Sequence, residues 1–193
     1  MSDRPRQLWL LPVLLITVIA TAVGGLLART YYEDQGTDAP PAVIASQTSV
    51  PPSERPGPKA VGATPDAIAH PLYQTVRDLL QRYFDSINGK DYDAWLSTVT
   101  AERAERQPES AWRAAYRSTE DGSVVIYRIE LGEDDTARVL MTFVSVQNEA
   151  DAPSELPSDC IQWSVVFPLI RSADGWKLDS SPAASSPQHE RCT

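Results

Sequence analysis

The chain has 193 residues, of which 17 are Lys or Arg and 26 are Asp or Glu, so its formal net charge is −9. This length allows one ordinary domain with additional segments. An acidic chain lacks the basic surface that binding to phosphates requires, so we expect no nucleic-acid partner.

Residues 8–28 form one uncharged apolar run, LWLLPVLLITVIATAVGGLLA. As a helix that rises about 1.5 Å per residue it would be about 31 Å long, which matches the ~30 Å hydrocarbon core of a bilayer. The run is longer than the apolar region of a usual secretory signal peptide, so we expect an uncleaved transmembrane helix. The small residues Ala20 and Ala22 leave cleavage open as the alternative.

The charges that flank this run predict its orientation. Arg4 and Arg6 precede it, whereas Arg29 follows it with Glu33, Asp34 and Asp38 soon after. Because cytoplasmic flanks carry the excess of positive charge, we expect residues 1–7 in the cytoplasm and the rest of the chain outside it. The sequence therefore predicts a single-pass protein of the cell membrane, with its C-terminal domain extracytoplasmic.

Residues 29–70 contain seven prolines and show no apolar periodicity. Such a stretch buries too little apolar surface to offset its chain entropy, so we predict a disordered Pro-rich linker. The linker would hold a domain formed by residues 71–181 away from the membrane.

Three helices are predicted at the start of this domain. The first begins at Pro71 and ends at Asn88-Gly89, with Gly89 in the left-handed cap position, where replacement by Val would be destabilising. Asp91 is expected to cap the second helix, and the third is expected over 108–116. Residues 101–107 would extend the second helix or form a polar connection. The apolar face of the first helix comprises Leu72, Val76, Leu79, Leu80, Tyr83, Phe84 and Ile87.

After Ser118 the apolar period changes from about 3.6 to about 2 residues, which indicates strands. We expect four strands, at 123–131, 136–147, 160–170 and 176–180. A loop joins the second strand to the third, and if the other connections are short turns, each strand would be antiparallel to its neighbour. Helices and strands that are segregated along the chain in this way define an α+β domain.

Two stretches of this domain resemble the nuclear transport factor 2-like superfamily, which includes the SnoaL-like and ketosteroid-isomerase-like proteins. They are YFDSINGKDYDAWLSTVT (83–100) and WSVVFPLIRSADGWKLDSS (163–181). The resemblance covers 71–181 and implies a cone-shaped domain of three helices packed on a curved four-stranded antiparallel sheet. With its anchor and linker, the layout also resembles small actinobacterial envelope proteins such as Mce-associated membrane proteins.

The chain has two cysteines, Cys160 and Cys192. An even number in an extracytoplasmic domain favours a disulfide, which would attach the Ser/Pro-rich tail, 182–193, to the domain. Closing a loop of this size stabilises a domain by roughly 3–4 kcal/mol. Free thiols are one alternative. A metal site with His189 is another, but it lacks a fourth ligand.

Enzymes of the resembled superfamily use Asp, Tyr or His in the cavity between helices and sheet. His70 precedes the first helix and His189 lies in the tail, so neither is expected in that cavity. Asp85 lies on the polar side of the first helix, Asp91 serves as a cap, and Asp93 is a remote catalytic candidate.

The remaining acidic clusters, Glu120-Asp121 and Asp134-Asp135, have the composition of solvated turns. No Gly-rich phosphate loop, nucleophile elbow or HExxH motif occurs in the sequence. We therefore expect no catalytic residues, no cofactor and no metal.

Aromatic residues are the remaining candidates for a binding site. They would either fill the core or line one cavity between helices and sheet that suits a small apolar ligand. The six candidates are Trp95, Trp112, Tyr116, Tyr127, Phe143 and Trp163.

Three functional hypotheses follow. The leading one is a non-catalytic domain that binds a protein partner in a cell-envelope complex, which predicts a shallow or filled cone. The second is a binder of a small hydrophobic ligand or lipid, which predicts an open cavity lined by the six aromatic residues. The third is an isomerase- or dehydratase-like enzyme, which requires a buried acid that faces the cavity and has a raised pKa.

Overall fold

A computed structural model of the chain describes residues 51–180 and 187–193. The expected transmembrane helix at 8–28, its orientation and the greater part of the linker lie outside these residues. Among the helices described, none combines the length and the hydropathy that a bilayer span needs. Residues Ser49–Thr193 form one compact unit.

The described residues contain five α-helices, and two short 3₁₀-helices lie at Pro52–Glu54 and Glu149–Asp151. The longest helix, α2, buries the apolar face that the sequence predicts, from Val76 to Ile87. The α-helices are α1 (Pro65–Ile68), α2 (Tyr73–Gly89), α3 (Tyr92–Leu96), α4 (Ala101–Arg106) and α5 (Glu109–Tyr116).

Six strands form one sheet in the order β1-β2-β3-β4-β5, and β6 also pairs with β4. Every pair is antiparallel except β1 with β2, which is parallel, so the sheet is mixed. The register of β2 against β3 shifts twice, and such bulges bend a strand. The strands are β1 (Gly62–Ala63), β2 (Glu120–Leu131), β3 (Thr136–Val146), β4 (Cys160–Ser172), β5 (Gly175–Leu178) and β6 (Gln188–Arg191).

The α+β class is confirmed, whereas the predicted count of three helices on four antiparallel strands is wrong. The four expected strands correspond to β2, β3, β4 and β5. The additional helices are α4, in a stretch predicted to extend the second helix or to form a polar connection, and the single turn of α1. The additional strands, β1 and β6, come from the predicted linker and tail, whose elements are too short to show a periodic pattern.

The domain begins before residue 71, which corrects the boundary of the predicted linker. Val61 and Ala67 are 4% and 1% exposed, respectively, and belong to the main hydrophobic core. Thr64 N–H donates to the Ile126 carbonyl at 2.9 Å, and its hydroxyl caps α1 by accepting from Ala67 N–H. This part of the Pro-rich stretch is ordered because it pairs with the sheet, not because of its own periodicity.

The break between α2 and α3 differs from the predicted one by a single residue. Lys90, not Gly89, has the left-handed backbone, with φ 58° and ψ 31°, and Gly89 is the last residue of α2. The prediction that a side chain at Gly89 would be strained is therefore wrong. Gly89 is helical, and an added Cβ would meet no atom within 4 Å. Asp91 caps α3 as predicted, since its Oδ1 accepts from Ala94 N–H at 2.9 Å.

The predicted disulfide between Cys160 and Cys192 is present, with the two Cα atoms 5.5 Å apart. The residues that precede Cys192 form β6, which is antiparallel to the first part of β4. The second part of β4 pairs with β5. One edge of β4 is thus covered by two short strands in succession.

Candidate ligand-binding cavity

A cavity of about 800 Å³ lies between the helices and the sheet. Residues of α2, α4 and α5 line one side, and residues of β2, β3 and β4 line the other. Binding pockets for small molecules have volumes of roughly 300–1,000 Å³ and are mainly apolar. The cavity therefore has the size and the composition of a site for a small organic molecule.

The six aromatic residues predicted for this cavity divide into two groups. Tyr116, Tyr127, Phe143 and Trp163 line it. Trp95 and Trp112, both 0% exposed, pack against each other in the core with their ring centroids 5.9 Å apart. Each of the two alternatives, cavity and core, thus applies to part of the set.

Three aromatic residues that the sequence assigned only to the core, or did not single out, also line the cavity: Tyr83, Phe84 and Phe167. The Phe84 and Phe143 rings are 5.1 Å apart, and the Phe143 and Trp163 rings are stacked at 6.0 Å. These contacts join helix α2 to strands β3 and β4 through one continuous aromatic wall.

A buried carboxylate, Asp121, forms part of the cavity wall. Its residue is 3% exposed, and its Oδ1 accepts a hydrogen bond from Ser145 Oγ at 2.5 Å. Burial raises the pKa of Asp121 to about 6, although the Ser145 hydrogen bond and the charge of Lys90 both act in the opposite direction. The third hypothesis required a buried acid of this kind.

The backbone of Asp121 is fixed by the end of helix α2. Asn88 Oδ1 accepts from Asp121 N–H at 2.7 Å, and Asn88 Nδ2 donates to the Asp121 carbonyl at 2.9 Å. Lys90 Nζ donates to the carbonyls of Ile87 and Thr119 beside them. The break after α2 therefore also positions the acid in the cavity.

Sequence reasoning missed Asp121 because it assigned Glu120-Asp121 to a solvated turn. Strand β2 begins at Glu120, three residues earlier than the alternating pattern indicates. Asn88 and Ser145, which form hydrogen bonds with Asp121, are 33 and 24 positions away from it in the chain. No local sequence pattern could have revealed these contacts.

The acids that the sequence did single out lie elsewhere. Asp85 is exposed on α2 and accepts from Gln81 Nε2, and Asp93 is exposed in the first turn of α3. His70 Nδ1 accepts from Leu72 N–H at 3.1 Å, and the His189 ring lies 5.0 Å from the Trp163 ring. The ring contact of His189 is thus with a residue that lines the cavity.

A second polar group of the cavity consists of Arg103, Tyr83 and Tyr116. Arg103 Nη2 donates to the Tyr83 hydroxyl at 2.9 Å, and Tyr83 shares a hydrogen bond with Tyr116. Burial raises the pKa of Tyr116 well above its usual value, so its hydroxyl remains protonated. The Arg103 guanidinium lies over the rings of Tyr83 and Phe167, at 5.3 and 5.5 Å from their centroids.

The rim of the cavity includes the segment after β3 and the start of β6. Asp151 lies in the first of these and Gln188 in the second. Arg117 pairs with Asp151, and Ser118 Oγ donates to it at 2.6 Å. The hydrogen bond from Arg117 lowers the pKa of Asp151 to about 2, so this carboxylate is ionised and paired.

No metal site occurs in the described residues, since they hold no group of three or more His, Cys, Asp or Glu in a ligating arrangement.

Two solved structures are similar to part of the chain. The Kfla4162 protein from Kribbella flavida is 19% identical with a TM-score of 0.39, and the match covers 57% of this chain and 88% of that one. A conserved protein from Planctomyces limnophilus DSM 3776 is 13% identical with a TM-score of 0.40, and the match covers 55% and 92% of the respective chains. No protein-family model and no curated protein matches the sequence. The function is therefore inferred from the cavity itself.

Proposed function

We propose that the domain binds a small, mainly apolar molecule in the cavity between its helices and sheet. The observation that carries this proposal is the open volume of about 800 Å³ with its continuous aromatic wall. A domain that served only as a protein-binding scaffold would have been expected to fill this space with side chains. The cavity thus favours the second of the three hypotheses over the first.

The setting of this activity is also a proposal. The apolar run at 8–28 and its flanking charges support a membrane-anchored domain outside the cytoplasm, where a disulfide is stable. The order of helices and strands supports membership of the nuclear transport factor 2-like superfamily. In this setting the domain would serve a cell-envelope complex as its ligand-binding component.

A second candidate function is proton transfer by an isomerase- or dehydratase-like enzyme. Asp121 favours it, because a buried acid that faces an apolar cavity with a pKa of about 6 suits a general acid or base near neutral pH. A ligand that the protein binds and chemically alters would distinguish this candidate. Turnover should then be lost in Asp121→Asn while ligand binding persists.

Binding is tested with two matched variants of helix α5. Ala115 and Ala114 are both exposed, but only Ala115 lines the cavity. The full chain in lipid nanodiscs would be titrated calorimetrically with adamantanol, a compact neutral apolar molecule, and empty nanodiscs would supply the background.

We expect Ala115→Trp to weaken the binding of adamantanol about tenfold or more, because its indole would occupy the cavity. Ala114→Trp should bind like the unmodified chain. Equal affinity in both variants would place the ligand elsewhere. Absence of binding of adamantanol and of its amine and carboxylate analogues, together with no co-purified small molecule in native mass spectrometry, would refute the proposed function.

A further inference from the structure

We infer that the ligand of the cavity is an organic cation, with an amine that contacts Asp121 and an apolar body that contacts the aromatic wall. This inference rests on the proposed function, because it assumes that the cavity binds a ligand. It adds the chemical class of that ligand and the residue that selects it.

The first argument is that Asp121 is a buried carboxylate that forms no salt bridge with the described residues. Its one side-chain hydrogen bond is donated by Ser145, and no ion pair joins it to any Lys, Arg or His of the described residues. Burial of a charge is costly unless an opposite charge compensates it. A cationic ligand would supply that charge.

The cations near the cavity are bound to other groups. Arg103 donates to the Tyr83 hydroxyl and to the Asp179 carbonyl, and Lys90 donates to two backbone carbonyls. Asp151, the other acid that lines the cavity, is paired with Arg117. Lys90 acts on Asp121 only through its charge. Among the described residues, Asp121 is thus the carboxylate of the lining that forms no salt bridge.

The second argument is the position of aromatic rings next to this carboxylate. Ser145, which bonds Asp121, lies two residues after Phe143 on β3, so both side chains project from the same face of the sheet. Phe143 stacks on Trp163. A cation near the face of an aromatic ring is stabilised electrostatically, and more so when water is excluded. Carboxylate and rings therefore both favour a cation.

Two further properties agree with this class of ligand. The pKa of Asp121, raised to about 6, still leaves its carboxylate mostly ionised at neutral pH. The net charge of −9 attracts cations and repels anions over the whole chain. A neutral alcohol could also donate a hydrogen bond to Asp121, but it would leave the negative charge uncompensated.

The test compares three molecules that share one apolar body: adamantylamine, adamantanol and adamantanecarboxylate. Each would be titrated calorimetrically into the full chain in lipid nanodiscs at neutral pH. The variants are Asp121→Asn and, as a control with the same change in net charge, Asp85→Asn, since Asp85 is exposed and lies outside the cavity lining.

We expect the amine to bind at least tenfold more tightly than the alcohol, and the carboxylate to bind most weakly. Asp121→Asn should reduce the ratio of amine to alcohol affinity to about one, whereas Asp85→Asn should leave it unchanged. If adamantanol binds and the amine has no advantage, the inference is wrong and the proposed function stands. An amine that binds equally well to the Asp121→Asn variant also overturns the inference.

Discussion

At the scale of single residues, Asp121 destabilises the fold that contains it. A carboxylate that is 3% exposed loses its hydration, and one hydroxyl hydrogen bond replaces only part of it. The raised pKa of Asp121 reflects the free energy that ionising this buried group still costs. In its protonated form the side chain does not carry this cost, so the folded state is more stable when Asp121 is protonated. A residue kept at such a cost is a candidate for function.

This cost predicts how stability depends on pH. The pKa of Asp121 is about 6 in the folded chain and 3.8 in the reference state, so the folded state binds the proton more tightly. Its contribution is fully present below about pH 4 and is lost as pH rises through about 6. Asp121→Asn should remove this dependence, because an amide does not ionise and can still accept from Ser145.

The expected size follows from the shift of about two pKa units, which corresponds to about 3 kcal/mol as an upper bound. Urea unfolding of residues 49–193 at about pH 4 and pH 7.5 would measure it. The advantage of Asp121→Asn over the unmodified chain should grow by up to that amount at the higher pH. An advantage that is equal at both pH values would show that Asp121 is not buried as a charge.

At the scale of elements, the break between α2 and α3 shows what a local pattern predicts and what it does not. The helix face and the cap at Asp91 depend on near neighbours, and both were predicted correctly. The left-handed residue was assigned to Gly89, because glycine adopts that conformation at the lowest cost. It is Lys90, whose amine bonds the carbonyls of Ile87 and Thr119. The second of these lies 29 positions away, beyond any local pattern.

Gly89→Ala should therefore stabilise the domain. Gly89 is helical, and an added Cβ would meet no atom within 4 Å, so alanine would lower the entropy of the unfolded chain without strain. We expect a gain of about 0.5–1 kcal/mol, measured as a higher Tm of residues 49–193. Gly122→Ala is the contrasting variant.

A Cβ at Gly122 would lie 2.8 Å from the Gly57 carbonyl oxygen and 2.9 Å from that of Pro56. Its Tm should therefore fall, because the backbone of two neighbouring residues would have to move. If Gly89→Ala destabilised the domain, Gly89 would have the left-handed conformation that the sequence predicts.

At the scale of the whole molecule, the sequence predicts a disordered linker before the domain and a Ser/Pro-rich tail after it, yet residues of both extend the sheet. Apolar periodicity identifies an element only when the element is long enough for the pattern to repeat. The two residues of β1 and the single turn of α1 are too short for that. The tail was linked to the domain correctly because the number of cysteines predicted a disulfide. The pairing of β6 with β4 could not be predicted, since no apolar alternation marks Gln188–Arg191.

The N-terminal boundary can be tested by comparing a chain that begins at residue 49 with one that begins at residue 71. The shorter chain loses the buried side chains of Val61 and Ala67 and the pairing of β1 with β2. It also leaves Ser123 N–H without the Pro58 carbonyl that it now bonds at 2.8 Å.

We expect the shorter chain to be less stable by on the order of 3–5 kcal/mol, from the lost apolar burial and hydrogen bonds. Chemical unfolding monitored by tryptophan fluorescence would measure the difference. Equal unfolding midpoints would show that residues 51–70 do not stabilise the domain, as the predicted linker requires.

The rim formed by the start of β6 also has a consequence for the order of biosynthesis. The ribosome delivers α2 and every strand through Leu178 before Gln188 and Cys192 emerge. Strands β2 to β5 can therefore fold while Cys160 is still a free thiol. Oxidation of the two thiols is then the final step that attaches β6 beside Trp163. A nascent chain kept reduced would have the hydrophobic core of the mature protein but an incomplete cavity wall at Gln188, so completion of the cavity belongs to the compartment that forms the disulfide.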